Sequence, residues 1–232
     1  VGICAHNEEE TIGKLLDQIF EEKVPVEQII VVASGDDSTP EIVREKNREN
    51  PSIELVEEDE RRGQSAAQNE ILERAEQEAL FLIDGDGTIK QGSMESLWDE
   101  YDGSSILYGR EIPDTPDNFT GSLIDQFWEL HHRLSLKKPK YTTQLALQPT
   151  DLVSHIPKEI VIDDEYIGLQ ALNSGLSIKY IPEAEKHHNI KGDLRSFMRH
   201  RRKNWAGMFQ IQSRGNENIQ ETGLKAGFYL RN

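Results

Sequence analysis

The run Gln28–Ala33 (QIIVVA) most constrains what this chain can fold into. Its apolar residues follow one another without polar interruption, the pattern of a strand buried on both faces rather than one half-exposed to water. Such a strand needs neighbours in a sheet and helices above and below it. The flanking sequence supplies both. Glu9–Glu22 carries Ile12, Leu15, Leu16, Ile19 and Phe20 at helical spacing, with Asn7 and Glu10 suited to an N-cap and capping box. Thr39-Pro40 reads as N-cap and first residue of a helix to about Glu49. Val1–Cys4, Ile53–Val56, Leu80–Ile83 and Ile106–Tyr108 read as further strands, and Gln64–Glu78 and Met94–Tyr101 as helices.

The fold expected is α/β, with a Rossmann-like, mostly parallel sheet flanked by helices. After residue 110 the pattern loosens. Pro113, Pro116 and Gly121 punctuate a loop, Leu123–Leu136 looks helical, and 137–150 reads as irregular around Lys137-Lys138-Pro139-Lys140. A short apolar run at Ile160–Ile162, a helix to about Ser174, a strand at Leu176–Ile181 and a basic helix at about Leu194–Ile211 follow. The division expected is a first half at 1–110, a less regular second half of the same domain at 111–213, and a tail at 214–232.

Ligands of doubly wound sheets bind at the carboxyl ends of strands. Three polar clusters sit just after predicted strands: Ala5–Glu8, Ser34–Ser38 and Asp84–Asp86. Asp84-Gly85-Asp86 places two hard oxygen donors on a tight turn, where they can share Mg²⁺ or Mn²⁺ and leave coordination positions for phosphate oxygens. The net charge of −16 argues against a nucleic-acid partner. A mean hydropathy of −0.64 and the lack of any apolar run near the roughly 20 residues of a bilayer span read as a soluble chain. One cysteine, Cys4, fits a reducing compartment. The expected location is cytoplasmic, with peripheral association at the inner membrane face left open.

Read in order, the clusters resemble the family 2 glycosyltransferases, which have the GT-A fold. Val1–Glu9 (VGICAHNEE) is similar to their opening strand, Ile29–Thr39 (IIVVASGDDST) to their second strand and its loop, and Gly63–Asn69 (GQSAAQN) to their third helix start. Phe81–Asp86 resembles their Asp-x-Asp strand, and Asp163–Gly175 (DDEYIGLQALNSG) their acceptor-side acidic motif. The resemblance runs from residue 1 to about 210. It implies an inverting, metal-dependent transfer of a sugar from a UDP- or GDP-type donor to an acceptor such as a polyprenyl phosphate or a glycan. The first half would bind the nucleotide sugar, and the second the acceptor and catalytic base. Ala5, His6 and Glu8 would line the nucleoside. Ser34 would touch it where the family often has Asp, with Asp36 or Asp37 compensating. Gly63 belongs to the same donor site. Asp84 and Gly85 would lie by the ribose and diphosphate, and Asp86 would be the more direct metal ligand. Either His188 or His187 would join it. Arg201-Arg202-Lys203-Asn204-Trp205 matches a processive-synthase signature at Trp205 and departs at Asn204, which speaks against processive synthesis.

The chemistry asks for such groups. A diphosphate leaving group gathers negative charge that a cation and guanidiniums stabilise; Arg199, Arg201, Arg202 and Lys203 are candidates on the basic helix. A hydroxyl acceptor must lose a proton, for which Asp164 is the candidate base, with Asp163 and Glu165 as alternates. A phosphate acceptor would need none. Two rival readings remain. IDGDGTI at Ile83–Ile89 matches the signature of haloacid-dehalogenase-like phosphatases, with Asp84 as nucleophile, Asp86 as acid/base and Mg²⁺ as partner. That reading leaves the strand–helix units of residues 1–80 unexplained. The other rival is a non-catalytic nucleotide-sugar-binding protein.

Overall fold

The apolar run forms strand β2 (Ile29–Ser34), and all of its residues are buried. Successive side chains of a strand point to opposite faces, so Ile29 and Val31 enter one core and Ile30 and Val32 the other. Around it lie β1 (Gly2–His6), β3 (Ile53–Glu58) and β4 (Ala79–Asp84), all parallel. Helices α1 (Ile12–Glu21) and α2 (Thr39–Glu49) cover one face through Leu15, Leu16, Ile19 and Val43, and α3 (Gln64–Arg74) covers the other through Ala67 and Ile71. This computed structural model describes residues 1–190 and 194–214.

The chain continues with β5 (Gly87–Ile89), α4 (Ser93–Asp99), β6 (Ser105–Asp114), α5 (Phe119–Ser135), β7 (Leu145–Pro149), a 3₁₀ turn (Thr150–Leu152), α6 (Asp163–Asn173), β8 (Ser177–Asn189) and α7 (Leu194–Arg214). The eight strands form one sheet in the order β3-β2-β1-β4-β7-β6-β8-β5. From β1 the chain steps outward to β2 and β3, then returns to place β4 on the other side of β1. The ends of β1 and β4 therefore flank the switch point where such folds open a crevice.

Several local expectations change. Asn7 does not cap α1: the helix begins at Ile12 after Thr11, and Asn7 takes a positive φ of 58° while its Oδ1 accepts from the Asp36 amide at 2.9 Å. Thr11 donates its hydroxyl to the Gly85 carbonyl at 2.7 Å, which ties the start of α1 to the Asp84–Asp86 turn. Ser38 takes the cap position of α2, and Thr39 becomes its first residue. The stretch 137–150 contains β7, which pairs antiparallel with β4 and β6. Its buried polar residue Gln148, whose Oε1 accepts from the Tyr141 hydroxyl at 2.6 Å, hides the strand in the sequence. β6 and β8 run longer than expected, because both continue past a bulge at Gly109/Arg110. The expected tail lies outside the described residues from 215 onward.

The extra length of β8 matters most. Its distal end pairs antiparallel with β5, setting Gly87 opposite His188 and Ile89 opposite Lys186. A Cβ on Gly87 would lie 1.9 Å from the His187 carbonyl oxygen, so only glycine lets these backbones approach. No helix among the described residues is long and apolar enough to cross a membrane. Gly87→Ala should destabilise the protein by about 1–3 kcal/mol, the usual cost of overpacking, measured as a lowered urea midpoint; an unchanged midpoint would contradict the close approach.

Candidate active site

A cleft of about 290 Å³ opens at the switch point, lined by Ala5 and His6 at the end of β1 and Glu8 beyond it, Ser34 at the end of β2, Gly63 and Gln64 at the start of α3, and Asp84 at the end of β4 with Gly85 and Asp86 beyond it. Gly85 must be small here: a Cβ would lie 3.0 Å from both the Cys4 carbonyl oxygen and the Ala5 side chain. The His6 imidazole Nδ1 lies 3.1 Å from the Ser34 hydroxyl, which fixes the ring plane at the cleft wall. Asp36 and Asp37 stand outside the lining. Asp37 instead accepts from the Glu9 and Thr39 amides at 3.0 Å and holds the loop in shape.

Asp84 is clamped. Its Oδ1 accepts from the Gln64 amide and its Oδ2 from the Gln144 amide, both at 2.7 Å. Burial raises its pKa well above the usual carboxylate range, and the charges of Asp86, Asp163 and Asp164 raise it further. The two amide donors hold the carboxyl in one orientation in the cleft wall.

Asp86 faces the distal end of β8. Its Oδ1 lies 3.3 Å from the Lys186 ammonium and its Oδ2 4.0 Å from His188 Nδ1. Strand alternation puts Lys186 and His188 on this face and turns His187 to the other, where its ring lies 3.6 Å from Glu185. His188 is thus the histidine beside Asp86, and His187 is not. Burial lowers the His188 pKa to about 4, so the imidazole is neutral and free to ligate. Its Nε2 is buried with no hydrogen-bond partner among the described residues. It is Nδ1 that faces Asp86, and for the two to take adjacent octahedral positions on a shared Mg²⁺ or Mn²⁺, which lie about 3 Å apart, the 4.0 Å gap would close by about 1 Å. Among the described residues no closed cage of three or more His, Cys, Asp or Glu exists.

A second cleft of about 320 Å³ adjoins the first, and Gln144 lines both. Its walls include Trp128, His131, Lys140, Asp164, Arg201 and Trp205. Asp164 is the second residue of α6, and its Oδ1 accepts from the Thr143 amide at 3.0 Å and the Thr143 hydroxyl at 2.8 Å. Burial, then repulsion from Asp163, pushes its pKa up to about 8. The alternates are engaged elsewhere: Asp163 accepts from Gln68 at 2.6 Å, Glu165 pairs with Lys140 at 2.7 Å, and neither lines a cleft. On α7, Arg201 rests against Phe127 and Trp128 and lines the second cleft, whereas Arg199 and Arg202 are exposed and line neither. Gln64, Gln144 and Lys186 escaped the sequence reading. None of the three left a signal there; the strand expected at Leu176–Ile181 stops short of Lys186.

The sequence profile of "Glycosyl transferase family 2" matches residues 1–155. The chain belongs to this family. This family 2 chain is 29% identical over 142 residues to a curated relative, Glycosyltransferase AglE of Haloferax volcanii; the match covers 59% of this chain and 47% of the relative, about half its length. Its fold is that of mannosyltransferase PcManGT from Pyrobaculum calidifontis, solved with GDP-Man and Mn²⁺ (TM-score 0.78, 19% identity, 99% of this chain and 70% of that one). It is also that of S. aureus TarS 1–349 in complex with UDP-GlcNAc (TM-score 0.58, 18% identity, 82% and 58%) and of mannosyl-3-phosphoglycerate synthase from Rubrobacter xylanophilus (0.65, 15%, 94% and 75%). The GT-A architecture is therefore shared, and family membership retires the phosphatase alternative.

Two predictions follow from the charges in this family 2 site. A carboxyl whose pKa rises on folding keeps its proton in the native state longer than in the unfolded one. Asp164, near 4 when unfolded and about 8 when folded, thus costs stability as pH rises through that window. Asp164→Asn should flatten this part of the Tm–pH curve, and an unchanged slope would refute the assignment. Lys186 is fully buried beside Asp86. Lys186→Met should cost about 1–3 kcal/mol at neutral pH, the range for removing a hydrogen-bonded charge, because Asp86 is partly open to solvent, with the deficit shrinking in acid as the carboxyls protonate. Denaturant melts at two pH values check this.

Proposed function

We propose that the chain transfers a glycosyl group, with inversion, from a nucleoside-diphosphate sugar in the first cleft to a hydroxyl acceptor in the second. The observation that carries this reading is the junction at Gln144, where Asp84 and Asp86 stand on one side and Asp164 on the other. The solved neighbours bound to GDP-Man and UDP-GlcNAc support a donor of the GDP or UDP class.

In this reading His6 stacks on the base, Glu8 and the backbone near Ser34 and Gly63 hold the ribose, and the diphosphate points toward Asp86. Asp86 and His188 hold Mn²⁺ or Mg²⁺, which when bound would neutralise charge gathering on the diphosphate leaving group. Lys186 adds a fixed positive charge from the protein itself. Gln144 keeps Asp84 turned toward the donor. Across the junction, Thr143 engages Oδ1 of Asp164 and orients the carboxylate to take the acceptor's proton. The pKa near 8 fits a base working close to neutral pH. Attack from the face opposite the diphosphate in one displacement inverts the anomeric carbon. A glycan hydroxyl fits a site with a base better than a polyprenyl phosphate does, because a phosphate oxygen is already anionic.

The test is a thermal-shift panel of UDP, GDP and their sugars with and without Mn²⁺. At least one nucleotide should raise Tm in a Mn²⁺-dependent way, by ligand linkage. Asp86→Ala and His188→Ala should each remove the Mn²⁺ dependence. Asp164→Asn should keep the shift yet lower kcat roughly 10²–10⁴-fold. No shift with any nucleotide would sink the donor assignment.

A further inference from the structure

Helix α7 carries an exposed apolar stripe that runs well beyond Trp205, its one member in the second cleft. Its residues Leu194, Met198, Trp205 and Phe209 are 38, 49, 50 and 58% exposed. Their spacing of four, seven and four puts them on a single face. The side away from the stripe is seated on the protein, where Gly207 lies against Ile162 and buried Ile211 enters the fold, while Trp205 at the edge of the stripe lines the second cleft together with buried Met208. The exposed stripe is therefore a deliberate outer face, not the seam of a helix misplaced in its core.

Its charge is as distinct as its hydrophobicity. Across its 21 residues α7 has six Arg or Lys and no Asp or Glu, in a chain whose net charge is −16. Arg195, Arg199 and Arg202 are exposed alongside the stripe. The helix α5 adds Leu123 and Leu130, exposed on one of its faces, and Leu130 and Trp205 both line the second cleft. An apolar face edged with Arg, with a Trp at the boundary, is the composition of a helix lying in a membrane interface.

We propose that this α7 face, with the adjoining edge of α5, docks on an anionic lipid bilayer and that the second cleft opens at that surface. Anionic headgroups attract the arginines while Met198, Trp205 and Phe209 enter the acyl boundary. The acidic remainder of the chain is repelled by the same headgroups, which leaves one orientation. A second copy of the chain is a poorer occupant, since a two-fold contact would set two carboxylate-free basic helices face to face. Resting on the reading of the second cleft as the acceptor site, the acceptor is then an amphiphile whose polar end reaches Asp164 from the membrane.

The experiment is flotation of the 232-residue chain with vesicles of phosphatidylcholine alone or mixed with phosphatidylglycerol, together with light scattering of the free protein. The protein should float with the anionic vesicles and stay behind with the neutral ones. Met198→Ser/Phe209→Ser and, separately, Arg195→Glu should each weaken flotation by about tenfold. Both variants should keep the nucleotide-dependent Tm shift, which reports the donor cleft and their folding together. Equal partition to both vesicle types, no flotation, undiminished flotation of the variants, or a dimer dispersed by Met198→Ser/Phe209→Ser would each overturn the proposal. A lost nucleotide shift in the unaltered chain would instead overturn the donor reading and leave the docking result standing.

Discussion

Four carboxylates, Asp84, Asp86, Asp163 and Asp164, converge at the ends of β4 and α6 closely enough for Asp84 to feel the other three. Like charges in a low-dielectric crevice repel strongly, and the architecture around them answers that repulsion. Gln64 and Gln144 clamp Asp84, Gln68 holds Asp163, Thr143 holds Asp164, and the buried Lys186 faces Asp86. The donors lower the cost without abolishing it, as the raised pKa values of Asp84 and Asp164 record. A site in this condition gains free energy whenever a cation arrives, and that coupling makes ligand binding and local stability one problem.

The fold delivers these groups through two devices. Parallel strands β1 and β4 end at the switch point and present the donor-side residues. The antiparallel rung between β5 and β8 then brings Lys186 and His188 over Asp86, a contact made between residues a hundred positions apart for Lys186. Gly87 permits that rung, and Thr11 anchors the turn before it through Gly85. The second cleft is assembled differently, from side chains of α5, α6 and α7 and the segment before β7, with Gln144 as the shared wall.

Much of this was legible in the sequence. Short apolar runs and helical periods gave the parallel half of the sheet, and strand ends gave Ala5, His6, Glu8, Asp84 and Asp86, because in a doubly wound fold those positions converge whatever the loops do. What stayed hidden depended on contacts between distant segments. β7 carries a buried Gln148 that breaks its apolar pattern. Gln144 has its role only because β7 lies beside β4. The choice of His188 over His187 follows from the parity of β8, which a strand continued through 189 would have revealed. Arg201 over Arg199 and Arg202 follows from helix phase: 201, 204, 205 and 208 share one face and all line the second cleft. Asn7 and Asp37 have cap-like chemistry, yet tertiary structure spends it on joining two loops.

The most direct test of the central claim is a crystal structure with a nucleoside diphosphate and Mn²⁺. The account predicts the nucleoside against His6, Ser34 and Gly63, with Mn²⁺ about 2.1–2.2 Å from Asp86 and His188 and the diphosphate completing its shell. Asp84 should remain on Gln64 and Gln144, and Asp164 should stay across the junction without a metal contact. A nucleotide seated against Trp128 in the second cleft, or Mn²⁺ bound to Asp164 instead of Asp86, would contradict it.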